Sequence, residues 1–184
     1  DISRPYFIIM KNSLDYISRV TSDTEGNIII TGGFRGESIS FGTTLLTNPN
    51  GIDAFFVTKI NPDGNVLWAQ TASNDSNCWG GDVATDTDGN VIVTGSFSGI
   101  STTFGTITLN NTSQTFTDFF IVKFSASGDV LWAQSFGGNS YDSGSGLATD
   151  NNGNIFLIGT YQSNDITFGT TTFHNSGGID YFMI

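Results

Sequence analysis

One sequence pattern occurs three times in this chain of 184 residues, at a nearly constant spacing. Each copy has a polar turn that contains Gly-Asn, followed directly by a run of apolar residues. The turn glycines of the copies are 63 and then 64 residues apart; they are Gly26, Gly89 and Gly153. This period predicts one supersecondary unit used repeatedly, because a single unit cannot bury its apolar faces alone. Residues present in every copy are therefore expected to be scaffold, and functional residues are expected where the copies differ.

Each unit contains four short segments with the composition of β-strands. In the second copy, the first segment (82–85) and the second (90–94) flank the polar turn. The third segment, 118–124, is aromatic, and the fourth, 130–134, contains a tryptophan. Gly and Asn in the connecting turns tolerate the positive φ of tight reversals. The pattern predicts an all-β chain of β-propeller blades, each a four-stranded antiparallel meander with a period of 63–64 residues.

An insert of roughly 20 residues separates the second strand from the third in each unit. It makes the period longer than that of common blades. Every insert contains a Phe-Gly pair fifteen residues after the turn glycine; the pairs are Phe41-Gly42, Phe104-Gly105 and Phe168-Gly169. We expect the insert to add an extra edge strand to each blade.

The linked motifs of the unit resemble a known family. Asp-x-x-Gly-Asn precedes the second strand, Phe-Gly lies in the insert, Gly-x-Asp-x-Phe opens the third strand, and Gly-x-x-x-Trp-Ala leads through the fourth. Together they look like the bacterial β-propeller repeat called SBBP. The resemblance implies propeller architecture and a place in large secreted or cell-surface proteins of bacteria. It implies no catalytic residue set.

The repeats divide the chain into approximate units at 12–60, 61–124 and 125–184, within one propeller segment that covers 1–184. The aromatic third strand appears near both ends, at 6–11 and at 180–184. Propellers typically have four to eight blades, so about three units predict an incomplete propeller or part of a larger one. We expect further blades of a longer chain, or another chain, to cover the terminal strand edges.

The charge of the chain argues against several classes of partner. Its formal net charge is −11, from 17 acidic and six basic residues, and the basic residues form no cluster. A nucleic-acid groove needs a basic stripe, so no nucleic-acid partner is predicted. The apolar runs are far too short to span a bilayer, so no membrane insertion is predicted. The acidic charge favours solubility.

The polar turn of the second copy has the composition of a weak calcium candidate. Asp86 and Asp88 alternate before Gly89, as carboxylates do in some calcium loops. The next alternating position back is Ala84, which offers no ligand. A turn capped by Asp, with Gly in the left-handed conformation, explains the same pattern without metal. No metal or other cofactor is therefore predicted, and Asp86 and Asp88 stay the calcium alternative.

Several repeated or isolated side chains have structural explanations. Trp68 and Trp132 occupy the same place in the fourth strand, which favours packing between blades over sugar stacking. Lys59 and Lys123 also match, and we expect each to pair with a carboxylate or to extend along the strand end towards water. His174 lacks a partner nucleophile or ligand set and is not predicted to be catalytic.

The geometry of a meander predicts where a binding site would lie. The two short turns of each blade share one end, so the long inserts and the links between blades share the other. The copies diverge there, and divergent loops on a rigid scaffold are where binding residues concentrate. The candidate binding residues are Trp79, Tyr141, Asp75, Asp142, Tyr161 and Arg35. Tolerated loop variation explains the same divergence and is the alternative.

These observations predict a non-enzymatic β-propeller that acts as a surface scaffold or as a module for binding protein or glycan, and the resemblance to the SBBP family implies that it is extracellular and bacterial. One alternative is a structural subunit of an extracellular assembly, closed through its terminal strands. A propeller-type hydrolase or lyase is less favoured, because such an enzyme needs carboxylates, His or Tyr that converge, and the Asp residues here are dispersed.

Overall fold

A computed structural model of the chain describes residues 14–74 and 77–184. The predicted aromatic strand at 6–11 and the candidate residue Asp75 lie outside the described residues. The described residues form strands joined by turns, without a helix, which confirms the all-β prediction. The strands are β1 (Tyr16–Ser22), β2 (Ile28–Arg35), β3 (Ser38–Phe41), β4 (Thr44–Thr47), β5 (Asp53–Ile60), β6 (Val66–Thr71), β7 (Ser73–Asn74), β8 (Cys78–Thr85), β9 (Val91–Phe97), β10 (Ser101–Phe104), β11 (Ile107–Asn110), β12 (Asp118–Phe124), β13 (Val130–Phe136), β14 (Asp142–Thr149), β15 (Ile155–Tyr161), β16 (Asp165–Phe168), β17 (Thr171–His174) and β18 (Asp180–Met183).

Three antiparallel sheets have the order of propeller blades. Blade 1 is β1-β2-β5-β6, blade 2 is β8-β9-β12-β13, and blade 3 is β14-β15-β18 in the described part of the chain. Each polar turn joins the first and second strands, as the sequence predicts. The sheets span 16–71, 78–136 and 142–183. The repeat limits drawn from the sequence at 60/61 and 124/125 therefore fall between the third and fourth strands of a sheet.

The insert of each blade forms a separate two-stranded hairpin, where the sequence analysis expected one extra edge strand. The hairpins are β3-β4, β10-β11 and β16-β17, with β7 also pairing to β10. The Gly of each Phe-Gly pair takes a positive φ at the hairpin turn, as Gly42 does at 59°. The Phe packs on an aromatic ring of its own blade; the ring centroids are 4.9 Å apart for Phe41 and Phe56, and 4.8 Å for Phe104 and Phe120.

The blades pack face to face around a shared apolar interior. Phe55 and Val57 of blade 1 are fully buried in one cluster with Phe120 and Val122 of blade 2. A second cluster joins blades 2 and 3 and includes Phe119. The first strand of blade 2, β8, contacts the first strands of both neighbours, β1 and β14, so the first strands line the inner side of the array.

Hydrogen bonds at the repeat spacing hold neighbouring blades in register. Thr149 Oγ1 donates to the Thr85 carbonyl over 2.6 Å, and Thr85 Oγ1 donates to the Ser22 carbonyl over 3.2 Å. Glycine is needed where the blades come closest, because a Cβ at Gly80 would overlap Thr31 Oγ1 of blade 1. The repeated Thr and Gly are therefore scaffold residues, as their repetition indicates.

Candidate functional site at the long-loop end

The two ends of the blades differ as the meander predicts. At one end lie the polar turns (23–27, 86–90, 150–154) and the turns between third and fourth strands (61–65, 125–129). In blade 1 the two kinds of turn lie against each other: a Cβ added to Gly26 would be 3.7 Å from the Pro62 ring. We call this the short-turn end. The opposite, long-loop end carries the inserts and the links between blades.

Asp86 is built into its turn. Its carboxylate accepts hydrogen bonds from the Asp88 N–H (3.0 Å), the Asn90 N–H (3.0 Å) and Asn90 Nδ2 (2.9 Å), and it pairs with Lys123 Nζ at 2.8 Å. Burial opposes ionisation, but the hydrogen bonds from Lys123 and Asn90 outweigh it and hold the pKa of Asp86 below its usual value. Asp88 is exposed. Within 14–74 and 77–184, no group of three or more His, Cys, Asp or Glu side chains is placed to hold a metal ion.

The same turn in blade 1 contains a more deeply buried ion pair. Lys59 Nζ lies 2.9 Å from Asp23 Oδ2, and both side chains are almost inaccessible to water. Lys59 Nζ also donates to the Gly89 carbonyl of blade 2 over 3.2 Å. Despite burial, hydrogen bonds from Asn27 and Lys59 lower the pKa of Asp23. The prediction that Lys59 and Lys123 pair with carboxylates is confirmed.

The two repeated tryptophans have different surroundings. Trp68 is buried, its ring lies tilted against Phe124 of blade 2 with 5.9 Å between ring centroids, and its indole N–H donates to the Ala126 carbonyl over 3.0 Å. Packing between blades is therefore confirmed for Trp68. Trp132 is half-buried and lines a cleft between blades 2 and 3.

Three of the candidate residues lie at the long-loop end with part of the side chain accessible. Tyr141 is 51% exposed, and its ring meets Phe116 edge-on with centroids 4.8 Å apart. Arg35 ends β2, and its Nε lies 3.3 Å from Asp53 Oδ1. Trp79 is half-buried in β8. Each belongs to or leads into a different blade, so the divergent side chains are spread along the array.

Two other candidates, Asp142 and Tyr161, are buried and lie opposite each other where β14 pairs with β15. Asp142 accepts hydrogen bonds from Ser163 Oγ (2.5 Å), the Gly138 N–H (2.9 Å) and the Gln162 N–H (3.1 Å). Its carboxylate thus ties the link between blades 2 and 3 to the start of the blade 3 insert. A ligand would reach Asp142 only if these bonds broke.

A buried carboxylate that the sequence analysis missed lies beside this link. Asp118 Oδ2 accepts from the Thr112 N–H at 2.8 Å, while Oδ1 is buried without a hydrogen-bond partner in the described residues. Burial, with the nearby charge of Asp142 adding, raises the pKa of Asp118 to about 6. One feature of the sequence could have indicated this carboxylate: Asp118 occupies the position in the third strand where the first copy has Ala54.

A polar cavity of about 410 Å³ opens between blades 1 and 2. Its walls include Asn48 and Pro49 from the loop after β4, Gln70 from β6 and Thr103 from β10. Asn48 donates to the Gly36 and Ile52 carbonyls, so this wall is fixed by the chain itself. Sequence reasoning did not predict the cavity, because it arises between two repeats.

No helix among the described residues is long and apolar enough to cross a membrane.

The family comparison identifies part of the chain directly. Residues 131–167 match the family model of the SBBP β-propeller repeat. The matched residues run from β13 through β14 and β15 into β16, which is the junction of blades 2 and 3. The resemblance that the sequence motifs indicate is thus confirmed.

Two curated proteins are similar to the chain. An uncharacterized WD repeat-containing protein of Acanthamoeba polyphaga mimivirus is 33% identical over 193 residues, covering 90% of this chain and 14% of that protein. The regulatory protein FlaEY of Caulobacter vibrioides is 31% identical over 126 residues, covering 68% of this chain and 13% of that protein. The chain thus spans about one seventh of the length of these relatives.

Proposed function

Because the chain carries an SBBP β-propeller repeat, we propose that it is a non-enzymatic interaction module or surface scaffold within an extracellular bacterial protein. The observation that carries the proposal is that repeated and non-repeated side chains occupy different places in the blades. Repeated side chains are used in turns and blade junctions, whereas Tyr141 and Arg35, which do not repeat, are accessible at the long-loop end. Protein or glycan is the proposed ligand there.

The chemistry of the long-loop end supports such a ligand. An accessible tyrosine ring provides a flat apolar surface with a polar tip, which suits sugars and protein side chains alike. In blade 1, the half-exposed guanidinium of Arg35 offers donors for carboxylates or hydroxyls. The cavity of about 410 Å³ between blades 1 and 2 has a size that accepts a small polar group.

The state of the acidic groups supports a non-enzymatic role. Asp23 and Asp86 are paired with lysines, and Asp142 is bonded to backbone and Ser163. All three carboxylates are thus engaged in holding turns and links between blades. His174 pairs with the exposed Asp165 on a hairpin surface, with 2.6 Å between Nδ1 and Oδ1. The extracellular bacterial setting is supported by what the family resemblance implies.

A second role, as a structural subunit joined through its end faces, is favoured by blade 3. Its outer face exposes Phe156 (45%), Ile158 (48%), Tyr181 (81%) and Met183 (75%). The matching positions of blades 1 and 2 are almost fully buried under the next blade; in blade 2 they are Ile92, Thr94, Phe119 and Ile121. An apolar face of this kind favours a further blade or another chain as its cover.

Binding assays with matched variants test the proposed function. The purified chain is to be screened on a glycan array and against bacterial surface proteins, and its best ligand measured by calorimetry. We expect Tyr141→Ala to lower that affinity at least tenfold. Leu131→Ala removes a side chain that is 50% exposed at the short-turn end, and it should leave the affinity unchanged. Equal effects of both variants, or turnover of the bound ligand, would contradict the proposal.

A further inference from the structure

The polar cavity of about 410 Å³ between blades 1 and 2 is bordered by a small side chain where the next blade has a large one. Ala72, directly after β6, lines the cavity. Phe136 stands at the equivalent position of blade 2, at the end of β13. Its ring packs between Phe119 and Phe168, with centroid distances of 5.4 and 5.0 Å. Alanine in place of that ring leaves room beside β6.

One wall of the cavity holds a buried amide with an unused acceptor. Asn48 lines the cavity, is 5% exposed, and donates from Nδ2 to the Gly36 carbonyl over 2.9 Å and to the Ile52 carbonyl over 2.6 Å. Two carbonyl partners fix which end of the amide is nitrogen. Within the described residues, Asn48 Oδ1 accepts no hydrogen bond. Only Asp118 Oδ1 is both sealed and unpartnered there, so Asn48 Oδ1 is not sealed from the cavity.

The same asparagine occurs in all three inserts, and the other two use their oxygen. Asn111 Oδ1 accepts from the Ser113 N–H over 2.8 Å, and Asn175 Oδ1 accepts from the Gly177 N–H over 2.5 Å. In each copy the amide nitrogen ties the loop together. The loop of blade 1 is thus held without the oxygen of Asn48, which leaves this acceptor for another group.

The other walls are polar and uncharged. Gln70 Nε2 donates to the Gly128 carbonyl over 3.1 Å, and within the described residues Gln70 Oε1 accepts no hydrogen bond. Thr71 adds a hydroxyl, and Thr103 adds another that lies 3.0 Å from Thr108 Oγ1. No residue that the structure places in these walls is charged. An ion would lose its hydration there without gaining a counter-charge, so the walls favour a neutral ligand.

We propose that this cavity binds one neutral sugar ring. Sugar hydroxyls would donate to Asn48 Oδ1 and Gln70 Oε1, and they would exchange hydrogen bonds with the hydroxyls of Thr71 and Thr103, because a hydroxyl both donates and accepts. The volume lies in the range of small-molecule sites. A peptide fits less well, because the polar walls offer little to an apolar side chain. The inference rests on the proposed function, since it assigns one ligand class to one place in the binding module.

A titration with simple sugars tests the ligand class. D-glucose, D-galactose and D-mannose are to be added to the isotope-labelled chain and followed by the NMR shifts of its backbone amides. We expect saturable binding of at least one of them, with shifts centred on residues 47–50 and 103–105. The uronate of the sugar that binds best is the charged control, and it should bind at least tenfold more weakly. Absence of saturable binding by all three sugars, or equal affinity for the uronate, would overturn the proposal.

A matched pair of variants tests the place. Thr103→Val removes a hydroxyl from the cavity wall at nearly constant volume, and it should weaken sugar binding several-fold. Thr167 occupies the same position in the blade 3 hairpin, where its Oγ1 lies 2.9 Å from Thr172 Oγ1. Thr167→Val therefore removes the same hydrogen bond away from the cavity, and it should leave the affinity unchanged. Equal affinities of the two variants would show that the cavity is not the site.

A third variant fills the cavity. Ala72→Phe places beside β6 the ring that Phe136 provides in blade 2, and it should abolish sugar binding. Wild-type affinity in Ala72→Phe would overturn the proposal; if this variant does not fold, the comparison of Thr103→Val with Thr167→Val decides. A ligand whose affinity falls with Tyr141→Ala and not with Thr103→Val would overturn this inference and leave the proposed function standing.

Discussion

At the scale of single residues, the carboxylates divide into two classes by what they face. Asp23 and Asp86 are buried but meet lysine and backbone donors, so their pKa values fall. Asp118 is buried, one of its oxygens has no hydrogen-bond partner among the described residues, and Asp142 lies nearby, so its pKa rises to about 6. A carboxyl whose pKa is lowered by folding stabilises the folded protein at pH values above its unfolded pKa. A carboxyl whose pKa is raised by folding destabilises the folded protein at those pH values.

Replacing Asp118 by Asn should stabilise the protein at neutral pH. The folded protein binds the Asp118 proton more tightly than the unfolded chain does, so the free energy of unfolding falls as pH rises from about 4 to 6. Asn keeps an acceptor for the Thr112 N–H and removes the charge. We expect Asp118→Asn to unfold with a free energy on the order of 2 kcal/mol higher at pH 7.

The pH dependence provides the control for this variant. At pH 3.5 the carboxyl is protonated in the folded protein and mostly protonated in the unfolded chain, so the free energies of unfolding of wild type and variant should nearly converge. Urea titrations at both pH values measure the difference. A gap between the two proteins that does not change with pH would contradict the raised pKa of Asp118.

The two lysines that pair with turn carboxylates should differ in importance. Lys59→Met leaves Asp23 buried without its cation, which should cost about 3–5 kcal/mol. The side chain of Lys123 is 20% exposed against 3% for Lys59, so water can replace Lys123 in part, and Lys123→Met should cost less. Chemical denaturation measures the free energy of unfolding of the two variants. An equal loss of stability in both would show that the burial of the lysine does not determine the effect of removing it.

At the scale of elements, the sequence predicts what is local. The meander and its turns follow from Gly, Asn and Asp at reversals, and Asp86 with Gly89 forms the predicted turn. The sequence predicts one extra strand in each insert, whereas the structure has two. Both strands of each hairpin are only four residues long, which is too short for an alternation of apolar and polar residues to identify each of them. The cavity between blades, the orphan oxygen of Asp118 and the burial of Asp142 depend on contacts between repeats, which local patterns do not encode.

The fourth strands give a direct comparison of two equivalent side chains. Trp68→Ala should lower the free energy of unfolding by about 3–5 kcal/mol, because it removes a buried aromatic ring and its hydrogen bond to blade 2. Trp132→Ala should cost less, because Trp132 is half-buried beside an open cleft. Denaturant midpoints of the two variants measure this, and a larger loss for Trp132→Ala would contradict the packing described.

At the scale of the whole molecule, the blades form an array whose two junctions repeat the Thr–carbonyl bonds of the inner side. At the junction of blades 1 and 2, the hydrogen bond from Trp68 to Ala126 also joins residues that are about one repeat apart in sequence. The divergent side chains of the array lie at the long-loop end. The outer face of blade 3 is apolar and exposed. Rigid stacking is thus the basis for the proposed binding end.

The contact between Trp68 and Gly128 tests this stacking most directly. The two residues are 60 positions apart in sequence, and they meet only if blade 2 packs on blade 1. In solution NMR of the chain, we expect the Gly128 Hα resonances to be shifted upfield by the indole ring, with nuclear Overhauser effects to the Trp68 ring protons. Unperturbed Gly128 resonances without such effects would contradict the propeller arrangement of the blades.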